Sequence, residues 1–518
     1  MYDIEYVPTV RVPTIGALST IIPAVSVPEG LFDPRRWGLS LEAIYRLDER
    51  LYDYWKRFAS CFRVWTRDSA DYAYVYLSGL LRMEAKRNFA NIGRKTNVSG
   101  QNVQHFMSSS PWSAQVVIRQ VQREIIAKAG LEHGGVLILD ESADEKAGEQ
   151  SAGAARQYNG RIGKVDVSQV GVLLAYANIS PGVPSPTWTW VDGELFLPEH
   201  WFAAELAPER KRLGVPEDRE FATKTELGWR MIERTVANGL RFELIAFDDN
   251  YGKSNWLRRN VNDAGHVYMA DVPGNYQVYL AKPTVGVPNA ERGQKGRRPT
   301  RQRVLSGDQP IKASEVASRE DTKWQRVRVR SVERGEINDE FAARRVWTTR
   351  DSEEGLPVSE EWLVMRREAS GGLNISLCNA PGETTLEQLA WMKCQRYFIE
   401  RANQDAKSEL GWDEFQAQKY RAWEHELALT VLASWFVAET KLDWATEGRR
   451  DPDLARQLEL ETLPMLSTGN VREMLRATMP LPQLTPEQAT NLVVEHLVNR
   501  ARAKKSRMKH RPSQGPAP

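Results

Sequence analysis

Cysteine is scarce: Cys61, Cys378 and Cys394 are the only three in 518 residues. Their separation gives no zinc-type pair and excludes a disulfide-stapled scaffold, so reduced thiols are expected. Long apolar runs are missing too. The most hydrophobic stretch, Leu427 to Ala438, is interrupted by Thr430 and Ser434 and falls short of the roughly 20 residues a bilayer-spanning helix requires. No membrane partner is expected. The opening MYDIEYVPTVRVP has acids and prolines where a secretory signal needs a basic and then an apolar segment, which makes a cytoplasmic location the expectation. Histidine is sparse, with seven residues scattered along the chain, and their spacing suits no metal site. In GEQSAG, Gly148 stands one place too far from Ser151 for a Gly-x-Ser-x-Gly nucleophile elbow. A phosphate-binding loop ending at Gly163-Lys164 would need Gly and Ser or Thr where Tyr158 and Val165 stand. Serine-hydrolase and P-loop chemistry are therefore set aside.

What remains is an ordinary globular composition, 41% hydrophobic and 27% charged, in a chain long enough for two or three domains. Seventeen Trp are available for packing or for stacking on bases. The net charge of +2 conceals two acid-free basic runs. One holds Arg292, Lys295, Arg297, Arg298, Arg301 and Arg303; the other holds Arg500, Arg502, Lys504, Lys505, Arg507, Lys509 and Arg511. Each can be a solvated loop or tail, but two such runs in one chain suit a polyphosphate partner, because phosphate contacts release condensed counterions.

The pattern changes along the chain in an ordered way. Residues 1–30 are Pro-punctuated and read as extended, and helical periodicity follows from Ser40 to Ala129. From 131 the period shifts. VLILD, VGVLLAYANI and TWTWVDGELFL read as strands, REFATKTELGWRMIERTVANG as a helix closed by Gly239, and FELIAFDD as a strand. A helix (NYGKSNWLRRNVNDAG) and the strand HVYMADV complete a mixed α/β sheet. Residues 282–384 contain KWQRVRVRSV, RRVWTTR and EEWLVMRRE, which alternate as antiparallel strands and mark a β-rich insertion. A single helix is expected from Thr385, with Gln388 completing a capping box, to Gly411. The expected organisation is a helical N-terminal region over 1–130, a core over 131–281, the insertion over 282–384 and a core helix region over 385–435. A helical C-terminal region over 436–499 and a basic tail over 500–518 follow.

Asp140 and Asp248 each follow an apolar strand, where an open α/β sheet presents its site. Taken singly, either could merely cap a turn. On the 385–410 helix, Arg396, Glu400 and Lys407 fall within about 40° of one another at about 100° per residue, sharing one face. Carboxylates from two strands and a helix are what a two-metal site needs. Hard Mg²⁺ or Mn²⁺ ions take oxygen ligands, and a pair of them clamps the attacking and leaving oxygens of a phosphodiester displacement.

At these residues the sequence resembles bacterial insertion-sequence transposases of the DDE type. LILDESADEKAGEQSAGAARQYNGRIGKVDVSQVGVLLAY is similar to the first-Asp block, and LPEHWF through FDDNYG to the second. Arg396-x3-Glu400-x6-Lys407 resembles the Tyr-x2-Arg-x3-Glu-x6-Lys signature, with Lys393 in the Tyr position. Other departures are Glu141 where a second Asp is expected and the lone His425 in AWEHELALTVLASWF. The resemblance implies an α/β, RNase H-like core with Asp140, Asp248 and Glu400 as catalytic metal ligands for two Mg²⁺ or Mn²⁺ ions. It implies Arg396 and Lys407 on DNA phosphates, with Lys393, Lys146, Arg156, Tyr251 and Lys253 also facing DNA. Arg297, Arg298, Arg301, Lys504 and Lys505 supply the basic runs, and Trp324, Trp347 and Trp362 are candidates for stacking on an unpaired base. The partner implied is double-stranded DNA, both element ends and target, held by a homodimer that is nucleoid-associated in a bacterial cytoplasm. A catalytically silent end-binding repressor and a sequence-nonspecific metal nuclease are the competing functions.

Overall fold

The computed structural model describes residues 33–39, 45–288, 300–349, 355–447, 451–459, 466–481 and parts of 485–505, less isolated positions at 66, 161, 181–182, 184, 333–334 and 370. The expected extended segment before residue 30 and the C-terminal end of the basic tail lie outside the described residues, as do Arg297, Arg298 and Lys504. No described helix is long and apolar enough to cross a membrane.

Five α-helices of the described residues precede the main sheet: α1 (Leu47–Phe58), α2 (Ala70–Arg82), α3 (Phe89–Thr96), α4 (Gly100–Ser108) and α5 (Ala114–Ala127). Their apolar stripes join the main core rather than closing on one another. Leu51, Phe58, Leu77, Val103 and Val121 belong to the same buried cluster as Leu137, Leu173 and Phe247 of the sheet. Burial of that continuous apolar surface at about 25 cal/mol per Å² is what holds the helical layer to the sheet.

The sheet begins with β1 (Gly135–Glu145), β2 (Ala155–Asn159), β3 (Lys164–Asn178) and β4 (Thr187–Leu195), an antiparallel set. Helix α6 (Lys224–Ala237) starts at a capping box between Thr223 and Glu226 and leads into β5 (Leu244–Phe247). Helix α7 (Asn255–Asp263) leads into β6 (Tyr268–Val272). Both β5 and β6 run parallel to β1, as short crossover helices dictate. The order across this part is β4–β3–β1–β5–β6.

The β-rich segment does not stand apart from this sheet. It comprises β7 (Gln277–Tyr279), β8 (Gln325–Val332), β9 (Gly335–Thr349), β10 (Pro357–Arg367) and β11 (Leu373–Cys378). Strand β11 pairs antiparallel with β6, so one 12-stranded mixed sheet continues from core to insertion. The alternation in EEWLVMRRE is explained by this placement, since Leu363 and Met365 bury in a second apolar cluster.

The helix expected from 385 to 410 is broken. Its first part, α8 (Leu386–Lys393), lies on β8, β9 and β10; its second, α9 (Tyr397–Gln404), lies on β1, β3 and β4. A straight rod could not follow both parts of a twisted sheet. Residues Asp405–Glu409 then form a π-helical turn before Gly411 reverses the chain at φ 76°. Helix α10 (Tyr420–Glu447) runs along β4 and α5, and α11 (Thr468–Thr478) closes against α2 and α10.

Candidate active site

Leu139 on β1 and Phe247 on β5 are in register in the parallel pair. The next residue on each strand is an aspartate, so Asp140 and Asp248 stand side by side where the pairing ends, on strands about 4.8 Å apart. β1 does not stop at Asp140 but runs on, paired with β3, to Glu145. Asp248 leaves β5 and caps a short helical turn, Asp249–Gly252, accepting the backbone N–H groups of Asn250 (3.0 Å) and Tyr251 (3.3 Å). That turn presses on β6 so closely that a Cβ at Gly252 would lie 1.8 Å from the Asp271 carbonyl oxygen, which only glycine permits.

Burial, then the Asp248 charge, pushes the Asp140 carboxyl up to about 7, although it accepts the Glu141 N–H at 2.7 Å. Burial lifts Asp248 to about 6 against the pull of the Tyr251 N–H. Neither forms an ion pair among the described residues. The Tyr251 hydroxyl is buried without a hydrogen-bond partner, and its pKa is driven up by burial and by the charges of Glu141, Asp140 and Asp248. A cleft of about 390 Å³ opens beside them, lined by Glu141, Tyr158, Phe196, Lys224, Asn250 and Tyr251. Lys224 closes its floor with an ion pair to Glu141 at 2.6 Å.

Glu400 approaches through Arg396. The guanidinium holds Glu400 Oε1 at 2.8 Å and Asp271 Oδ2 at 3.1 Å, and its charge also favours the ionised forms of Asp140 and Asp248. Arg396 thus links all three expected carboxylates. Among the described residues, however, no group of three or more His, Cys, Asp or Glu side chains is placed to hold a metal ion. The aspartate pair is assembled, while Glu400, with its side chain 52% exposed, is engaged by Arg396 instead.

The remaining positions divide by exposure. Arg156, Lys253, Arg301 and Lys505 are at the surface. Lys146 is half-buried and donates to the Phe415 carbonyl oxygen at 3.2 Å. Lys407 lies in the π-helical turn and faces Asp144 at 3.7 Å, on the same strand, β1, that carries Asp140. Two of the positions expected to face DNA are buried. Lys393, its side chain 3% exposed, donates to Asp271 at 2.9 Å and to the Ser376 hydroxyl, tying α8 to β6 and β11. Tyr251 is 1% exposed. Trp324, Trp347 and Trp362 are half-buried, facing Arg367, Lys282 and Arg345 respectively at 3.9, 4.8 and 5.3 Å from the ring centroid.

Asp271 was missed by sequence reasoning, though an acid inside the apolar strand HVYMADV was a usable signal. Burial raises its carboxyl, but Lys393, Ser376 and Arg396 together hold it below the ordinary value. It fixes the base of Arg396, and so the position from which that guanidinium reaches the carboxylates.

Similarity to known proteins agrees with this geometry. The model of the DDE superfamily endonucleases matches residues 57–336, a span that includes Asp140 and Asp248 and stops before Glu400. A probable transposase for insertion sequence element IS701 from Microchaete diplosiphon is 25% identical over 324 residues, covering 62% of this chain and 69% of that protein. With more than half its length matched and an acidic pair at the parallel strand ends inside the match, the chain belongs to the DDE superfamily endonucleases.

Proposed function

We propose that the protein is an insertion-sequence transposase that binds the terminal inverted repeats of its element as a dimer, cuts a strand at the boundary and joins the freed end to target DNA. The observation that carries this is the side-by-side placement of Asp140 and Asp248, two half-buried carboxylates without an ion pair among the described residues, near Arg396, which holds Glu400. The strand order β4–β3–β1–β5–β6, antiparallel then parallel, supports an RNase H-like nuclease core. Among proteins of known type, the similarity to a probable insertion-sequence transposase favours transposition over general DNA degradation.

The donor set fits hard divalent ions. Asp140 and Asp248 offer oxygen ligands whose shared negative charge is offset only by the nearby Arg396 charge, with no ion pair of their own among the described residues, and Mg²⁺ or Mn²⁺ would be held there with Glu400 as the third carboxylate. When bound, such ions lower the pKa of an attacking water and stabilise the leaving oxygen. The chain's own groups set the rest. Asp271 and Lys393 anchor α8 and Arg396; Arg396 releases Glu400 toward the aspartates and turns its guanidinium to a DNA phosphate, for which its planar donors are suited. Water oxygen adds at phosphorus, the bond from phosphorus to the 3′ oxygen breaks, and the 3′ oxygen takes up a proton. The resulting 3′-hydroxyl then attacks a target phosphodiester: its oxygen bonds to phosphorus, the target's own phosphorus–3′-oxygen bond breaks, and that leaving oxygen takes up the proton the hydroxyl gives up.

Duplexes carrying the element boundaries, incubated with protein and Mg²⁺, should be nicked at the junction. Glu400→Gln and Asp248→Asn should each reduce nicking by at least 1,000-fold while leaving duplex binding within about twofold. Normal nicking by either variant would remove that residue from the site.

A further inference from the structure

Two acids of β1 point to the same side of the sheet. Asp140 and Asp144 are four residues apart on a strand whose side chains alternate, which puts their Cα positions about 13 Å apart. Each meets a cation from the chain around α9: the Arg396 charge acts on Asp140, and Lys407 faces Asp144 at 3.7 Å. Asp144 is buried and also feels the charge of Lys146. A buried carboxylate needs such cations, because its desolvation is otherwise uncompensated.

Lys407 reaches β1 because the chain widens after α9. The Leu410 N–H donates to the Asp405 carbonyl oxygen, five residues back, at 3.1 Å. The turn therefore holds one residue more than an α-helical turn would. Such turns are rare and concentrate at functional sites. This one is pinned at both ends. Asp405 accepts the Trp188 indole N–H at 2.9 Å and the Thr468 hydroxyl at 2.7 Å. At the other end, Arg472 on α11 donates to the Glu409 carboxylate at 2.6 Å, and the Arg87 guanidinium donates to the Glu409 carbonyl oxygen at 2.9 Å. Arg472 is itself buried and held by the Leu81 and Met83 carbonyl oxygens.

The residue at the centre of this turn is held differently. At 3.7 Å the contact of Lys407 with Asp144 is electrostatic, and its ammonium makes no hydrogen bond among the described residues. Its three donors are left for another acceptor. The Lys407 side chain keeps 18% exposure against 10% for Asp144, so the lysine can meet an outside ligand while the aspartate cannot. A cation fixed in place by charge but not hydrogen-bonded is prepared for an external oxyanion.

We infer that Asp144 is a positioning residue for Lys407, an inference that rests on the DNA substrate proposed above. The buried carboxylate holds the ammonium beside β1, and the pinned π-helical turn delivers it there. Lys407 then grips a phosphate next to the one cut at Asp140 and Asp248, since the two acids stand too far apart to serve a single phosphate. Thr468 and Arg472 act through the turn, which ties the C-terminal helix α11 to the grip on DNA.

The test uses full-length protein and boundary duplexes in EDTA, each with one phosphate near the cut replaced by an uncharged methylphosphonate, so binding is scored without strand cutting. For the parent, one such replacement away from the cut phosphate should lower affinity by about 3- to 10-fold, the range of a single hydrogen bond shared with water. Lys407→Gln should lose that position-specific effect, and its slope of log affinity against log salt should be shallower by about one. In Asp144→Asn the effect should fall below twofold although Lys407 keeps its charge. Adding Lys407→Gln to Asp144→Asn should then change affinity by less than twofold, the non-additivity of residues that act as one unit. Thr468→Val, remote from Asp144, should shrink the effect in the same direction. A parental phosphate profile in both Asp144→Asn and Thr468→Val, additive losses in the double variant, or a parent with no sensitive phosphate would each overturn the inference. A parent that shows the sensitive phosphate and the coupling yet never nicks in Mg²⁺ would support it and count against the cleavage reading alone.

Discussion

Removing the Lys393 ammonium, as in Lys393→Met, distinguishes a buried structural role from contact with DNA. The side chain is 3% exposed and its Nζ sits 2.9 Å from Asp271 Oδ1. Methionine keeps most of the volume, so the main loss is the charge, and Asp271 becomes a carboxylate with one guanidinium where it had two cations. Breaking a buried pair from one side costs about 3–5 kcal/mol. Asp271 retains Arg396 at 3.1 Å and is 24% exposed, which places the loss near about 3 kcal/mol. The dependence on pH follows from Asp271. Its carboxyl is held below the ordinary value in the native protein, so its contribution is present above the unfolded pKa and lost as pH falls through the lower folded value. Without Lys393, burial pushes the carboxyl upward, and protonation relieves the variant first. Urea unfolding followed by tryptophan fluorescence should therefore show the full loss at pH 7.5 and a smaller one at pH 4.5. Stability within about 0.5 kcal/mol of the parent, with DNA affinity reduced and a salt slope shallower by about one, would refute the burial argument and return Lys393 to the DNA.

Three further outcomes are expected. Asp140→Asn should abolish nicking yet stabilise the metal-free protein at pH 8: the carboxyl is raised to about 7, so its favourable contribution is greatest below the unfolded pKa and lost as pH rises through 7. Thermal melts should show the gain shrinking at pH 5 and Mg²⁺ stabilising the parent more than the variant. Glu426, buried and donated to by the Tyr76 hydroxyl, is raised to about 8 by burial despite that bond and nearby Lys146 and Arg87. Stability should fall between pH 5 and 8 as this proton is lost, and Glu426→Gln should flatten the part of the urea-midpoint profile due to this group. Gly252→Ala should cost at least about 2 kcal/mol by forcing the Asp248 turn off the Asp271 carbonyl, with a matching loss of nicking; a melting temperature within 1 °C of the parent would contradict it.

Much of the sheet was legible because its strands carry apolar runs bounded by turns. VLILD, VGVLLAYANI, TWTWVDGELFL, FELIAFDD and HVYMADV all fall on observed strands, and the two acids that end apolar runs are the two the fold pairs. The continuity of the β-rich segment with the core was not legible, because pairing β11 with β6 joins residues about a hundred positions apart through backbone hydrogen bonds that leave no periodic mark. The break between α8 and α9 was hidden for a related reason. Each half satisfies helical periodicity, and only the two surfaces they cover require a bend.

Chemistry-bearing residue types, their order and the strand ends they occupy are properties of the chain itself, because side-chain period and turn chemistry are local. Which of them meet was decided by packing. Lys393 and Arg396 are three residues apart, yet one is sealed against Asp271 and the other is turned toward the carboxylates, since the chain changes direction between α8 and α9. Charge and spacing cannot distinguish a buried ammonium from an exposed one; only the burial imposed by distant strands does.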